Sequence, residues 1–321
     1  MTSVIETHEE PLARTESAAP PPPSAPQTPP APPGSRLTLV LALLAIYIIW
    51  GTTYLAIRIA VETMPPFFMA AVRFLAAGAL LFAFLRLRGA PLPTRGQWLG
   101  ASAVGALLLV GGNGAVSFAE KWISSGLAAL VVGTIPLWAA LFAGLWGRWP
   151  SRLEWVGLAL GFVGIVLLNL ESNIQANPLA AVVLFLAPIF WAFGSVLSRH
   201  VSLPKGLMSS AAEMLVGGVG CLLLSLVLGE RVTVPVSMGS LLAVVYLVVF
   251  GSIIAYSAYT YLLARVRPAL ATSYAYVNPA VAVALGVGLA GEQLTLAGFL
   301  AMLAILSAVV MITLGVRTSK P

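Results

Sequence analysis

Two charged side chains sit where a charge is expensive. Arg73 lies inside the apolar run 67–85 and Glu213 inside the apolar run 209–228, and no other Glu, Lys or Arg falls well within such a run. A guanidinium in that setting needs a cavity or an acceptor, and its planar fork suits an anionic group such as a carboxylate. The competing reading is that it snorkels outward. A carboxyl in the same setting is a candidate proton carrier, unless it reaches the nearby interface. Polar and aromatic residues recur at helical spacing in other runs. Tyr47, Trp50 and Tyr54 share one face, as do Asn113 and Ser117, Trp191 and Ser195, and Tyr274 and Asn278; Ser252, Tyr256, Tyr259 and Thr260 form a polar stripe. Thr52 and Thr53 read as packing residues bonded back to their own helix. The candidate substrate-binding set is Trp50, Tyr54, Arg73, Asn113, Trp191, Tyr256, Tyr274 and Asn278, with Glu213 as the proton-coupling candidate. Pro136 and Pro279 are candidate kinks, because a proline frees the carbonyl four residues before it. Glu62, Glu120, Lys121, Glu154 and Glu292 sit in or next to loops and read as solvated.

Other chemistries are excluded. There is no Asp, His8 and His200 are far apart, and Cys221 is the only cysteine. That leaves no disulfide framework, zinc quartet or EF-hand, and no HExxH, P-loop or GxSxG motif is present. No metal, no cofactor and no enzyme activity are expected.

The elements that must position these residues follow from composition. The 321 residues are 59% hydrophobic and 9% charged, with a mean hydropathy of +0.97. A soluble domain is nearer 25% charged, so the bilayer sets the architecture and the expected class is an all-α polytopic membrane protein. Ten apolar runs approach or reach spanning length: 37–57, 67–85, 98–118, 125–146, 154–170, 178–198, 209–228, 239–262, 269–290 and 295–315. They are continuously apolar, not alternating, which favours helices over barrel strands. The net charge of +6 does not indicate nucleic acid, because the bases sit singly or in small groups between the runs. With a cytoplasmic N-terminus the inner segments hold 13 Lys and Arg and the outer loops 3, so both termini are expected in the cytoplasm. Residues 1–36 form a Pro-rich tail, with ten prolines by position 35, expected to be disordered and to make no contact with the core; residues 316–321 are a short C-terminal tail.

Ten runs divide into two fives, 37–177 and 178–315. IIWGTTYLAIR (48–58) aligns with IFWAFGSVLSR (189–199) at an offset of 141, and GTIPLWAALFAG (133–144) with YVNPAVAVALGV (276–287) at 143. Five is odd, so the second half must enter the membrane from the opposite side. The expectation is ten transmembrane helices as two inverted-topology five-helix repeats, with a site between the halves lined by spans one, three, four, six, eight and nine.

The stretches IYIIWGTTYLAIRIAVETMPP (46–66), VRFLAAG (72–78), the proline-centred fourth run and ALATSYAYVNP (269–279) resemble the EamA-type drug/metabolite transporters, and among them the YedA-like exporters of bacterial inner membranes. The resemblance covers roughly 37–315; the Pro-rich tail departs from it. It implies a ten-helix, two-repeat inner-membrane carrier that moves small metabolites or toxic compounds outward, and it matches Arg73 to the arginine of the family's second span. The resulting reading is a secondary active exporter working by alternating access on a small-molecule substrate, with proton coupling through Glu213. The alternative is a passive facilitator or channel of the same fold. The charge bias makes a direct prediction. Reporter fusions after Lys320 and within 86–95 should behave as cytoplasmic, and one within 171–177 as periplasmic. An external C-terminus would remove the basis for inverted halves.

Overall fold

The computed structural model describes residues 35–123, 125–147, 149–169 and 177–278, with scattered positions between 281 and 314. The tail 1–34, Pro279, Glu292 and about half of the expected ninth and tenth spans lie outside the described residues. Those described are helical, without strands. The helices are α1 (Ser35–Val61), α2 (Pro66–Leu87), α3 (Arg95–Ala119), α4 (Ser125–Val132), α5 (Ile135–Leu145), α6 (Arg152–Asn169), α7 (Pro178–Leu197), α8 (Leu207–Val227), α9 (Met238–Leu263) and α10 (Pro268–Ala271). Six of them, α1, α2, α3, α7, α8 and α9, are long and apolar enough to cross a bilayer. Their outward faces carry large apolar side chains such as Leu55, Phe84, Leu223 and Val245. A multi-pass membrane protein requires that surface, because every backbone polar group is satisfied within the helices and lipid replaces water around them.

Local chemistry sets the helix boundaries. Pro65 and Pro66 end the α1 turn and start α2, where Pro66 needs no donor. The free N–H groups of Phe67 and Phe68 donate to the Glu230 carboxylate, at 3.3 and 2.9 Å, so an acid from the α8–α9 connection caps α2. Thr94 and Gln97 close a reciprocal capping box at the start of α3. The fourth expected span is two helices, not one kinked helix. α4 stops at Val132, Gly133 and Thr134 form a turn, and α5 restarts with Pro136 in its first two positions. A break also comes after α10, at Thr272 and Ser273, before the chain turns helical again through Tyr274–Asn278.

Two spans carry a π-helical segment: Ala106–Gly114 in α3 and Leu247–Ile254 in α9. Their starts are 141 residues apart, the spacing that aligns Trp50 with Trp191. A second feature recurs in the same way. Arg58, in the last turn of α1, donates from Nη1 to the carbonyls of Glu120 (2.8 Å) and Ile123 (3.1 Å), beyond the end of α3. Arg199, just after α7, donates to the carbonyls of Leu263 (2.7 Å, from Nε) and Val266 (from Nη2), at and beyond the end of α9. Each arginine thus closes the carbonyl terminus of a π-containing helix. The two latches lie at opposite ends of the bundle. The Glu120 end also holds the start of α2 and of α9, where Thr63 donates to Ser240 at 2.7 Å. The Arg199 end holds the finish of α9 and the ion pair of Arg267 with Glu154 (2.9 Å).

The most extensive helix pairing is α2 with α8. A methyl group at Gly78 would lie 2.9 Å from the backbone nitrogen of Leu215, so the two backbones approach as small-residue interfaces in membranes allow. Gly78→Ala should therefore lower stability by about 1–3 kcal/mol, as overpacking does. Gly96→Ala, with open space around the added carbon, should be neutral or slightly stabilising. Thermal unfolding of both variants in detergent would show the contrast, and equal melting temperatures would contradict the close approach.

Candidate functional site

Four rings meet where α1, α7, α9 and the segment after α10 converge. The Trp50 ring lies edge-on to Trp191 (centroids 5.5 Å apart) and to Tyr274 (4.6 Å), and 5.1 Å from Tyr259. Polar atoms fix their orientation. Trp50 Nε1 donates to the Gly251 carbonyl (3.0 Å) within the π-helical segment of α9, and Trp191 Nε1 donates to Tyr259 Oη (3.0 Å), which also bonds Ser195 Oγ (2.6 Å). Tyr47 Oη bonds Ser273 Oγ at the break after α10 (2.7 Å). With its amide oriented so that nitrogen meets acceptors, Asn278 donates to the carbonyls of Tyr47 and Tyr274. Edge-to-face rings each add about 0.5–1.5 kcal/mol beyond their burial, so the cluster is a rigid wall.

The wall borders a cavity of about 50 Å³ lined in part by Trp50, Tyr54, Asn113, Trp191, Tyr274 and Asn278. Six of the eight expected substrate residues therefore share one space, drawn from spans one, three, six and nine, with Val132 and Ile135 of span four. Span eight reaches the ring cluster through Tyr259 but does not line the cavity. The volume is of the order of a water or two, so in this state the space is collapsed. Gly112 is part of the reason Trp191 fits, because a methyl there would lie 2.6 Å from Trp191 Cε3.

Arg73 is one bond behind this cavity. It is 2% exposed. Its Nε donates to Ser252 Oγ (2.8 Å) and its Nη1 to Asn113 Oδ1 (3.2 Å). Ser252 and Asn113 come from the two π-helical segments, so the irregular turns of both helices aim at one guanidinium. Among the described residues Arg73 forms no ion pair; the single one is Arg267 with Glu154. Hydrogen bonds from a charged group return about 1.5–3 kcal/mol each, while desolvating the charge costs several kcal/mol. Both hydrogen-bond acceptors are neutral, and the one acid that acts on Arg73 across the interior, the buried Glu120, forms no ion pair with it.

The remaining candidates lie elsewhere. Glu213 is 1% exposed and accepts from Ser209 Oγ (2.7 Å) and Tyr256 Oη (2.6 Å). Tyr256 thus belongs with Glu213, not with the aromatic wall. Glu213 lines a separate cavity of about 640 Å³ near the Arg199 end, with Arg199, Ser257, Thr260 and Arg265. Thr52 and Thr53 bond back to Ile49 and Trp50 as expected. Glu62 and Lys121 are exposed, also as expected.

Two acids read as solvated are not. Glu154 is 1% exposed. It accepts from the Ser151 N–H (2.8 Å), its own N–H donates to Ser151 Oγ (3.3 Å), and it pairs with Arg267. The Ser151–Glu154 spacing is a capping box, a signal present in the sequence. Glu120 is 0% exposed, and neither carboxylate oxygen has a hydrogen-bond partner among the described residues. Placement just past an apolar run gave no sign of that burial.

The site makes a test of its own packing. Gly112→Ala should displace Trp191, break its bond to Tyr259 and cost about 1–3 kcal/mol of stability. Tryptophan emission should shift towards that of a more hydrated indole. An unchanged spectrum and melting temperature would contradict the close fit.

Comparison with known proteins agrees with the helical membrane fold. The model of the EamA-like transporter family matches twice, over residues 37–170 and 178–314. The chain is 52% identical, over 87% of its length and 92% of the relative's, to the inner membrane transporter YedA of Escherichia coli K12. It is 27% identical to a "Probable amino-acid metabolite efflux pump" of Salmonella typhimurium, covering 81% of this chain and 89% of that one. A solved crystal structure matches with a TM-score of 0.72 at 22% identity, over 89% of this chain and 99% of the other, which shows a shared fold. With both family matches, and with six of the described helices long and apolar enough to cross a bilayer, this chain belongs to the EamA-like transporter family.

Proposed function

We propose that the protein is a multi-pass inner-membrane secondary exporter that carries small metabolites by alternating access. Zwitterions such as amino acids are the substrate class that its central residues fit. The observation that carries this reading is Arg73, a buried guanidinium held by two neutral acceptors at the edge of an aromatic-walled space. A substrate carboxylate would supply the missing negative charge by bidentate pairing. The faces of Trp50 and Trp191 would receive an ammonium group or an apolar side chain. The name of the Salmonella relative points to the same class.

The topology of this reading has both termini in the cytoplasm, which makes the Arg199 end cytoplasmic and the Glu120 end periplasmic. The cavity of about 640 Å³ is then a cytoplasmic vestibule, and the collapsed central space lies beyond it. Glu213, on the vestibule wall, is the proposed site for a coupled proton. The paired arginine latches and paired π-helical segments, at like positions in each half, support an inverted repeat built for exchanging which end is open.

Purified variants in proteoliposomes test this. Arg73→Leu should insert normally and lose roughly 10–100-fold in affinity for amino-acid substrates, the equivalent of one or two charged hydrogen bonds. Glu213→Gln should keep its affinity and lose pH-driven accumulation between pH 5 and 8. Unchanged affinity in Arg73→Leu would make that residue structural. Full accumulation in Glu213→Gln would remove the proton role, and absence of uphill flux in the parent would make the protein a passive facilitator.

A further inference from the structure

The two arginine latches differ in one respect. Arg58 takes the carbonyls of Glu120 and Ile123; Arg199 takes those of Leu263 and Val266, with the same spacing between acceptors. Each latch is built on two backbone oxygens, and the place that matches Glu120 in the second half holds Leu263. Yet Glu120 carries its carboxylate into full burial, with neither oxygen hydrogen-bonded among the described residues. Leaving an ionised carboxylate there would cost several kcal/mol. The charged and titratable groups facing it are Arg58 and Tyr54 of α1 and Arg73 of α2.

We propose that Glu120 is a proton-binding site that controls the latch at its own end of the bundle. With the proton bound, the carboxyl is neutral, Arg58 stays on the two carbonyls, and the Glu120 end is closed. When the proton leaves to solvent on that side, the carboxylate competes with those carbonyls for Arg58, and the end opens. At the Arg199 end the matching place is Leu263, which binds no proton, so this latch-linked response belongs to the Glu120 end. This proposal rests on the alternating-access reading.

Burial sets the direction of the pH response. It pushes the Glu120 carboxyl well above the ordinary carboxylate range, against the pull of the Arg58 and Arg73 guanidiniums. A solvated Glu120 in the open end would titrate near the ordinary value. The closed end therefore holds the extra proton; closure is favoured as pH falls and is lost, by up to about tenfold per pH unit, as pH rises above the ordinary carboxylate range.

Val116 lies one helical turn before Glu120 and lines the central cavity. In a Cys221→Ser background, Val116→Cys can be labelled with a membrane-impermeant thiol reagent added outside spheroplasts. Labelling should rise with external pH between 5 and 8 well beyond the rise in thiolate. Glu120→Gln and Glu120→Leu should fold with melting temperatures no lower than the parent's, since the latch uses the carbonyl, and should remove that excess. Glu213→Gln should leave it intact. If both Glu120 variants keep the parent's pH dependence, or if Glu213→Gln alone removes it, the proton site is elsewhere and the proposal fails while alternating access stands. If Val116→Cys is never labelled from that side at any pH, the end does not open and both readings fall.

Discussion

The structure depends on how a full positive charge is kept in a low-dielectric interior. Arg73 is almost completely enclosed and is held by Ser252 and Asn113. Those two acceptors come from the π-helical segments of α3 and α9, and each segment lies within a helix long enough to span the bilayer. A regular helix would keep all its backbone bonds and present a different face. The irregular turns give up that regularity to place two polar groups on one guanidinium. They also expose the Gly251 carbonyl to the Trp50 indole, so the charge and the aromatic wall share one scaffold. Replacing Arg73 by an apolar residue would relieve the desolvation cost, which is why its presence argues for a ligand and not for stability.

Helix ends carry the second constraint. Carbonyls at a helix C-terminus need donors, and at both ends of this bundle an arginine from another helix supplies them. Such a bond ties helices together without burying a new charge deep in the membrane. It is also reversible, because a better acceptor can draw the guanidinium away. Between the latches lie a collapsed central space and, near the Arg199 end, a much larger cavity. In the proposed reading, the unequal size of these two spaces fits a carrier resting with one end more open than the other.

Much of this is legible in the residues. The apolar runs indicate the membrane class, and helical spacing puts Trp50, Tyr54, Tyr274 and Asn278 towards one cavity. Arg73 stands out because burying it is expensive. Periodicity fails where a helix departs from ideal geometry. A π-helical turn inserts an extra residue and rotates the next turns of the helix, so the single stripe read from Ser252 to Thr260 divides in space: Ser252 meets Arg73, Tyr256 meets Glu213 and Tyr259 meets Trp191. The fourth run reads as one kinked helix because Pro136 is visible, while the turn at Gly133 and Thr134 needs tertiary context. Glu154 is assignable from its capping-box spacing. Glu120 is not, because residues at the end of an apolar run are usually hydrated, and only the arrival of Arg58 from α1 explains its enclosure.

The central claim is that Arg73 is positioned for an anionic group and is held by neutral side chains until one arrives. The most direct measurement is a structure of the protein with an amino acid bound. The account predicts the substrate carboxylate within hydrogen-bond distance of Arg73, the Arg73–Asn113 bond exchanged for it, and the space beside Trp50 and Trp191 expanded around the ligand. A ligand confined to the large cavity near Arg199, with Arg73 still bonded to Ser252 and Asn113, would contradict it.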